Sequence, residues 1–274
     1  MTIALKHWES YRVSPGTKAR LGTIPSDATD FCEDKTSARK ELKYLRKQIN
    51  ALAETLAIEN QRSLLIILQG MDASGKDGAV KKVFTGVNPQ HCRVFSFKEP
   101  DREECEHDYL WRICRALPAK GELGVFNRSQ YEDVVTVRAR GVIPRREAHM
   151  RLRQITDLER AWTENGIVIR KLFLHISREE QTRRFKARLD TPEKRWKVQE
   201  SDFADRKLWP EFQSAYEEIL SRTSTLVAPW YILPADHKWY RDVAVAGIVL
   251  ATLKKMRPRI PIPSLELKRF KLLP

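Results

Sequence analysis

Apolar positions along the chain follow two spacings, one typical of helices and one typical of buried strands. Residues 36–60 carry leucine and isoleucine every three or four positions with lysine and arginine between them, which predicts an amphipathic helix. Short apolar runs predict five strands, at 64–69, 93–97, 123–127, 168–176 and 230–233. Helical spacing predicts further helices, at 78–84, 102–116, 145–165, 179–189, 202–223 and 238–255.

Strands that alternate with helices indicate an α/β fold, in which helices cover both faces of a parallel sheet of about five strands. Such open sheets bind their ligands at the carboxyl ends of the strands. We expect one domain over all 274 residues, since that length suits a single large core. Residues 1–35 lack periodicity and contain Pro15, Gly16 and Pro25, so we expect an N-terminal arm that lies over the domain.

The first predicted strand leads directly into Gly70-Met-Asp-Ala-Ser-Gly-Lys-Asp-Gly78, which matches the phosphate-binding pattern G-x-x-x-x-G-K. We expect backbone N–H groups and the positive end of the following helix to surround phosphate oxygens. Lys76 adds a point charge that can bridge phosphoryl oxygens. The alternative is a chance match in a turn. The predicted phosphate ligands in this loop are Gly70, Ala73, Ser74, Gly75, Lys76, Asp77 and Gly78.

Acidic residues in this loop indicate a metal ion. The residue after the lysine is usually Ser or Thr, whose hydroxyl binds Mg²⁺, but here it is Asp77, and Asp72 lies inside the loop. Two carboxylates beside a phosphate pocket repel the ligand unless a cation lies between them. Mg²⁺ held by one or two carboxylates and by substrate oxygens meets that need. A simple helix-capping role for Asp77 is the alternative.

A second polar cluster follows the strand predicted at 123–127. Asn127 and Arg128 lie at its carboxyl end, where α/β sheets place their chemistry. Glu132 comes one turn later and is the third predicted metal ligand, within reach of an ion near the loop. The alternative is that Glu132 and Asp133 are solvated residues at the start of a helix.

A third, basic cluster spans residues 177–201. Arg184 and Arg188 are four positions apart and share a helical face, with Arg183 beside it. Pro192 ends the helix. We expect this segment to be a helical lid, which brings arginines to a transferring phosphoryl group and excludes water. A solvated charged face is the alternative.

The formal net charge of +14 favours a polyanionic partner. Nucleic acid, an acidic membrane and inorganic phosphate polymers are all compatible with it. A polymer requires a basic groove, for which Lys81 and Lys82 are candidates, although ordinary surface charge is the alternative. The sequence carries no RNA-recognition, zinc or helix-turn-helix signature, no secretory signal and no bilayer-length apolar run, so we expect no nucleic-acid or membrane partner. Four cysteines without C-x-x-C spacing favour a cytoplasmic protein with reduced thiols.

Four segments of the chain, in order, resemble the polyphosphate kinase 2 family. They are Gly70-Met-Asp-Ala-Ser-Gly-Lys-Asp-Gly78, Phe126-Asn-Arg-Ser-Gln-Tyr-Glu-Asp-Val134, Pro192-Glu-Lys-Arg-Trp-Lys197 and Ala228-Pro-Trp-Tyr-Ile-Leu-Pro-Ala-Asp-His-Lys-Trp239. The resemblance implies a P-loop kinase fold similar to thymidylate kinase, with a helical lid. It also implies Mg²⁺-dependent phosphoryl transfer between inorganic polyphosphate and nucleotides, with Mn²⁺ able to replace Mg²⁺, in a homo-oligomer that is a dimer or a tetramer.

The resemblance also implies roles for individual residues. The expected catalytic residues are Asp72, Lys76, Arg128 and Arg188. The expected nucleotide ligands are Asn127, Arg128, Tyr131 and Glu132. Beyond the loop, the expected phosphate ligands are Lys81, Lys82, Arg183 and Arg184.

The order of two polar residues bears on the acceptor. The diphosphate-preferring subgroup has Asp where this chain has Asn127, and Asn near the position of Glu132. The chain therefore looks closer to members that act on AMP, with ADP left open as a further acceptor. An ATP-dependent nucleoside or nucleotide kinase of the same fold is the first alternative, and a nucleic-acid-binding P-loop protein is the second.

Overall fold

The computed structural model describes residues 8–262, apart from the side chain of Lys197. Its parallel strands are β1 Ser63–Gln69, β2 Cys92–Ser96, β3 Leu123–Asn127, β4 Ile167–His175 and β5 Trp230–Pro234. They form one sheet in the order β2-β3-β1-β4-β5. The central strand β1 pairs with β3 on one side and with β4 on the other. All five predicted strands are confirmed, with their ends within one residue.

Helices cover both faces of this sheet. They are α1 Lys35–Glu59, α2 Lys76–Val83, α3 Arg102–Cys105, α4 Trp111–Arg115, α5 Glu132–Ala139, α6 Arg145–Glu164, α7 Arg178–Leu189, α8 Glu200–Lys207, α9 Trp209–Thr223 and α10 Lys238–Met256. Apolar side chains of α1, α2 and α10 pack on one face, and those of α4, α5, α6 and α9 pack on the other. This is the predicted α/β arrangement. Within residues 8–262, no helix is both long enough and apolar enough to cross a membrane.

Two predicted helices are each divided in the structure. Residues 102–116 form α3 and α4, because the side chain of Asp108 accepts a hydrogen bond from the backbone N–H of Leu110 and holds a turn between them. Residues 202–223 form α8 and α9. Pro210 lies in the first turn of α9, where its missing N–H has no helical partner to lose. The same proline prevents α8 from continuing through this position.

One helix was predicted from the sequence only as the alternative reading of Glu132 and Asp133. The polar turn predicted after β3 continues as α5, which buries Val134, Val135 and Ala139 against the sheet. A helix of eight residues carries too few apolar positions for its period to stand out. Its first residue is Glu132, so the carboxylate lies one turn from the end of β3.

The described part of the N-terminal arm lies along the edge strand β5. The N–H of Val13 donates to the carbonyl of Trp230 over 2.9 Å. Further along, the N–H of Leu21 donates to Glu217 on α9 over 2.7 Å. The carbonyl of Ser26 then accepts from the N–H groups that follow β5. The arm thereby covers a sheet edge that would otherwise expose backbone groups.

Candidate active site

The loop between β1 and α2 has the backbone shape of an anion-binding turn. Gly70, Ala73 and Gly75 have φ angles of 151°, 61° and 99°. A Cβ atom at Gly70 would lie 2.7 Å from the carbonyl oxygen of Leu174, so this position requires glycine. Gly75 precedes α2 and has no side chain to cap it. The first N–H groups of the helix are therefore available to a ligand.

Two side chains inside the loop are unusually buried. Lys76 is 8% exposed, and its ammonium donates to the carbonyls of Gly70 at 2.6 Å and Met71 at 3.3 Å. The hydroxyl of Ser74 is buried and has no hydrogen-bond partner within the described residues. A buried polar atom of this kind is expected where a ligand completes the bonding. Both side chains lie where the sequence predicted phosphate ligands.

The three predicted metal ligands lie within electrostatic range of Lys76. Burial and then Arg128 lower the pKa of Lys76, whereas Asp72, Glu132 and Asp77 oppose that shift. Between residues 8 and 262, no three acidic, histidine or cysteine side chains form a group that could hold a metal ion, so Asp72, Asp77 and Glu132 do not converge as one set of three ligands. Mg²⁺ needs only one or two protein carboxylates, because phosphate oxygens and water complete its shell.

Arg128 faces the loop from the end of β3. Its φ angle is 66°, and its N–H donates to the carbonyl of Leu68 over 3.0 Å. Its guanidinium lies 3.5 Å from the carboxylate of Asp72, and its side chain remains 41% exposed. Burial acts to lower the pKa of Arg128, but Glu132 and Asp72 outweigh that effect and raise it. The cation is therefore fixed at the loop and still accessible to a ligand.

Polar side chains at the strand ends hold the acidic residues in place. Asn127 donates from Nδ2 to Asp77 over 2.7 Å. Glu132 accepts from the hydroxyl of Thr136 over 3.1 Å. Gln69, the buried last residue of β1, lies with its side-chain amide 3.0 Å from the other oxygen of Glu132, and the amide nitrogen is the atom that can donate to that carboxylate. Gln69 was not predicted from the sequence, although a polar residue that ends an apolar strand is a recognisable signal.

Tyr131, predicted to bind the nucleotide, belongs instead to a network in the core. It is fully buried, and its hydroxyl donates to Glu159 over 2.9 Å and accepts from Lys171 over 3.0 Å. Lys171 also forms a 2.5 Å ion pair with Glu159. No part of the ring is accessible to a ligand, so that prediction is wrong. Its partners come from α6 and β4, which the local sequence does not reveal.

Arg184, predicted to bind phosphate, is occupied by protein acceptors. It is 6% exposed, and a guanidinium has five N–H donors. Nε donates to Glu180 at 2.8 Å, Nη1 to the carbonyls of Ala73 and Ser74 at 2.9 Å each, and Nη2 to the carbonyls of Ala235 and Asp236 at 2.5 and 2.8 Å. No donor is left for a phosphate. The structure contradicts a direct phosphate contact by Arg184.

The rest of the predicted lid begins beside the loop. Gln181 donates to the carbonyl of Asp72 over 2.9 Å. Arg183 is exposed and pairs with Glu180 at 2.8 Å. Arg188 lies half-buried over the ring of Phe185, 5.4 Å from its centroid. The first two turns of α7 are thus attached to the loop, and Arg188 lies one turn beyond that attachment.

A carboxylate on α8 links Arg188 electrostatically to the loop. Burial raises the pKa of Asp202, and Asp72 raises it further, whereas Arg188 and Arg128 oppose the shift. Asp202 is therefore within electrostatic range of three of the predicted catalytic residues. It was not singled out in the sequence, where nothing distinguishes it from other acidic residues of a helix start.

The two lysines predicted to line a polymer groove lie on the last turn of α2. Lys81 and Lys82 are both exposed, and Lys82 is within electrostatic range of Asp242 on α10. They follow the loop by one turn. Their placement is compatible with a path for an extended anion that leads away from Lys76.

The chain belongs to the polyphosphate kinase 2 family. The family model described as polyphosphate kinase 2 (PPK2) matches residues 32–261. The chain is 44% identical over 256 residues to an AMP/ADP-polyphosphate phosphotransferase from Meiothermus ruber, covering 93% of this chain and 96% of that protein. It is 40% identical to an ADP-polyphosphate phosphotransferase from Rhodopseudomonas palustris, covering 92% of each chain.

A solved structure supports the same conclusion for the fold. Polyphosphate kinase 2 from Arthrobacter aurescens TC1 matches with a TM-score of 0.92 and 36% sequence identity, over 97% of this chain and 95% of that one. The fold is therefore the P-loop kinase fold expected from the sequence. The loop at residues 70–78 lies at the carboxyl end of the central strand β1, as the motif predicted.

Proposed function

We propose that the protein transfers phosphoryl groups between inorganic polyphosphate and nucleotides. The observation that carries this proposal is the buried Lys76 inside a glycine-rich loop, with Asp72 and Arg128 paired at its mouth, in a chain of the polyphosphate kinase 2 family. A net charge of +14 suits a long polyanionic donor better than it suits ATP, which binds in a local pocket.

We propose AMP as an acceptor, with ADP as a further acceptor. The 44% identical relative from Meiothermus ruber is named as acting on both AMP and ADP. The chain also has Asn127 followed by Glu132, the order expected of AMP-using members, and Asn127 donates to Asp77 in the loop. Transfer is reversible in principle, because both sides of the reaction contain phosphoanhydrides of similar energy.

Phosphoryl transfer asks a protein chiefly for positioning and for stabilisation of spreading negative charge. Lys76 and the loop N–H groups would fix the transferring group. Arg128, exposed at the loop mouth, and Arg188, one turn beyond the docked part of α7, would neutralise charge on the equatorial oxygens. Asp72 lies against Arg128 and would orient the acceptor oxygen. A phosphate acceptor requires no strong base.

The residues that would hold Mg²⁺ are Asp72 with Asp77 or Glu132. When bound, the ion offsets the charge of donor and acceptor phosphates and helps align them. Mn²⁺ prefers the same oxygen ligands and would replace it. The hydrogen bonds from Asn127 and Gln69 to these carboxylates fix their orientation before the ion binds.

A nucleotide panel tests the proposal. The enzyme is incubated with Mg²⁺, with polyphosphate as sole phosphoryl donor, and with AMP, ADP or their guanine, cytosine and uracil counterparts. Chromatography then resolves mono-, di- and triphosphates. We expect ADP from AMP in the absence of ATP. An ATP-dependent kinase of the same fold would form no ADP under these conditions, and that result would reject the proposal.

We further propose a cytoplasmic homo-oligomer, a dimer or a tetramer. The four cysteines are free thiols in the structure, which suits a reducing compartment. Sedimentation velocity of the purified protein measures the oligomeric state, and a monomer at micromolar concentration would reject it.

A further inference from the structure

A second buried arginine touches the phosphate loop from α10. Arg241 is 2% exposed, and its Nη1 lies 3.4 Å from the carbonyl oxygen of Ser74. Its Nε and Nη2 donate to the carboxylate of the adjacent Asp242, over 2.9 and 2.5 Å. The carboxylate compensates the buried charge and fixes the orientation of the guanidinium plane.

The guanidinium of Arg241 fills space that glycines leave open. A Cβ atom on Gly75 would lie 1.9 Å from its Nη1, and a Cβ atom on Gly78 would lie 3.1 Å from its Nη2. These glycines therefore serve two purposes. On one side they would let the backbone approach a phosphate, as the proposed function requires, and on the other side they admit Arg241.

Arg184 reaches the same loop from α7. Its Nη1 donates to the carbonyl of Ser74, the oxygen that Arg241 also contacts, and to the carbonyl of Ala73. Its Nη2 holds the segment after β5. The two arginines, here called the arginine bracket, thus converge on one peptide bond from two different helices.

A planar trans peptide points its C=O and N–H in opposite directions. Because both arginines hold the carbonyl of Ser74 on the outer side of the loop, the N–H of Gly75 is directed to the opposite side. That is the side on which a phosphate-binding loop must present its N–H groups. The bracket lies where it can set the orientation of this donor.

We propose that Arg184 and Arg241 are positioning residues for phosphoryl transfer, which hold the phosphate loop in its binding shape without touching substrate. This inference rests on the proposed function, because the experiments that test it measure phosphoryl transfer from polyphosphate. It also bears on the predicted lid, because the turn of α7 that carries Arg184 is attached to the loop and Arg188 lies one turn further along the same helix.

Lysine substitutions separate positioning from direct phosphate binding. A lysine keeps the charge but cannot form five directed hydrogen bonds. We expect Arg184→Lys to lower kcat/KM for polyphosphate about 100-fold, as displacement of a reacting group by about 1 Å does, and Arg241→Lys to lower it about 10-fold. A direct phosphate ligand would retain most activity as lysine, and that result would overturn the proposal.

The matched control is Arg170→Lys. Arg170 is partly buried and donates to the carbonyls of Ile169 and Val227, at the other end of the sheet. It should change kcat/KM by less than about twofold. An equal loss in this control would show that any buried arginine has the same effect through general stability, and would also overturn the proposal.

A double-mutant cycle tests the contact without removing a buried charge. Gly78→Ala crowds Nη2 of Arg241, so we expect a loss in kcat/KM of about 10-fold in the native background and of less than about twofold in the Arg241→Lys background. Additive losses would contradict the bracket. If the native enzyme shows no polyphosphate-dependent transfer, the proposed function fails. If it is active and the lysine variants match it, the bracket alone fails.

Discussion

Asn127 donates a 2.7 Å hydrogen bond to Asp77 and so joins the end of β3 to the first turn of α2. This bond holds one of the proposed metal ligands in place with a neutral partner. If Asn127 becomes Asp, two carboxylates face each other and attract a cation more strongly. We expect Asn127→Asp to lower the Mg²⁺ concentration that gives half the maximal rate.

The opposite change provides the control for this prediction. Asn127→Ala removes the hydrogen bond and adds no charge, so Asp77 loses its orientation and half-saturation should require more Mg²⁺. The half-saturating Mg²⁺ concentration is obtained from rates measured over a series of Mg²⁺ concentrations for the native enzyme and the two Asn127 variants. Identical Mg²⁺ dependence in all three would exclude Asp77 from the metal site.

Removal of the loop ammonium should abolish turnover. Lys76 is buried inside the loop and contacts the carbonyls of Gly70 and Met71. We expect Lys76→Ala to lower kcat by at least about 10³-fold, the upper range for loss of one charge-stabilising donor. The melting temperature should not fall, because burial of the ammonium disfavours its charged form. Retained activity would remove the loop from the mechanism.

Arg188 should act mainly in the transition state. We expect Arg188→Ala to lower kcat about 10³-fold, as loss of an arginine finger does, with little change in the KM for AMP. Arg160→Ala is the matched control, since Arg160 is exposed, lies outside the proposed site and pairs with Asp157 on its own helix. Equal losses in kcat and in AMP affinity for Arg188→Ala would indicate a binding role instead.

Much of the fold could be predicted because its central strands are buried on both faces. Every residue of β1 and β3 is buried, which produces the short apolar runs that predict strands. The ends of helices and strands depend on local turns. The turn at Asp108, for example, is formed by one side-chain hydrogen bond. The spacing of apolar residues does not predict such a bond.

The site could be predicted where the chemistry lies within one segment. The glycines and Lys76 are consecutive, so the motif predicts their joint placement, and the structure brings Arg128 and Glu132 to them. Arg184 and Tyr131 were assigned from their neighbours in sequence. The partners of Tyr131 lie in other elements, and four of the five partners of Arg184 are backbone carbonyls of other segments, which have no signature in sequence.

The buried network around Tyr131 should contribute to stability and not to nucleotide binding. Tyr131→Phe removes a hydroxyl that lies between Glu159 and Lys171. We expect a loss of about 1–3 kcal/mol in the free energy of unfolding, because buried polar groups lose a partner. Urea denaturation measures this loss. An increased KM for AMP with unchanged stability would restore the nucleotide-binding assignment.

Stability should decrease in mild acid through His175, at the end of β4. Its Nε2 lies 3.1 Å from the carbonyl oxygen of Ile24 in the arm, and burial lowers its pKa below the usual 6.5. The folded state favours the neutral ring. The contribution of His175 to the free energy of unfolding is therefore complete above pH 6.5, and it is lost as the pH falls through the lower pKa of the folded state. His175→Gln should reduce the decline in unfolding free energy between about pH 7 and about pH 5. An unchanged pH dependence would contradict this assignment.

A crystal structure of the enzyme with Mg²⁺ and a short phosphate oligomer tests the central claim most directly. We expect phosphate density within the loop at residues 70–78, in contact with Lys76 and the N–H of Gly75, while Arg184 and Arg241 remain bound to the carbonyl of Ser74. Density for the oligomer elsewhere on the protein, with the loop empty, would contradict the account.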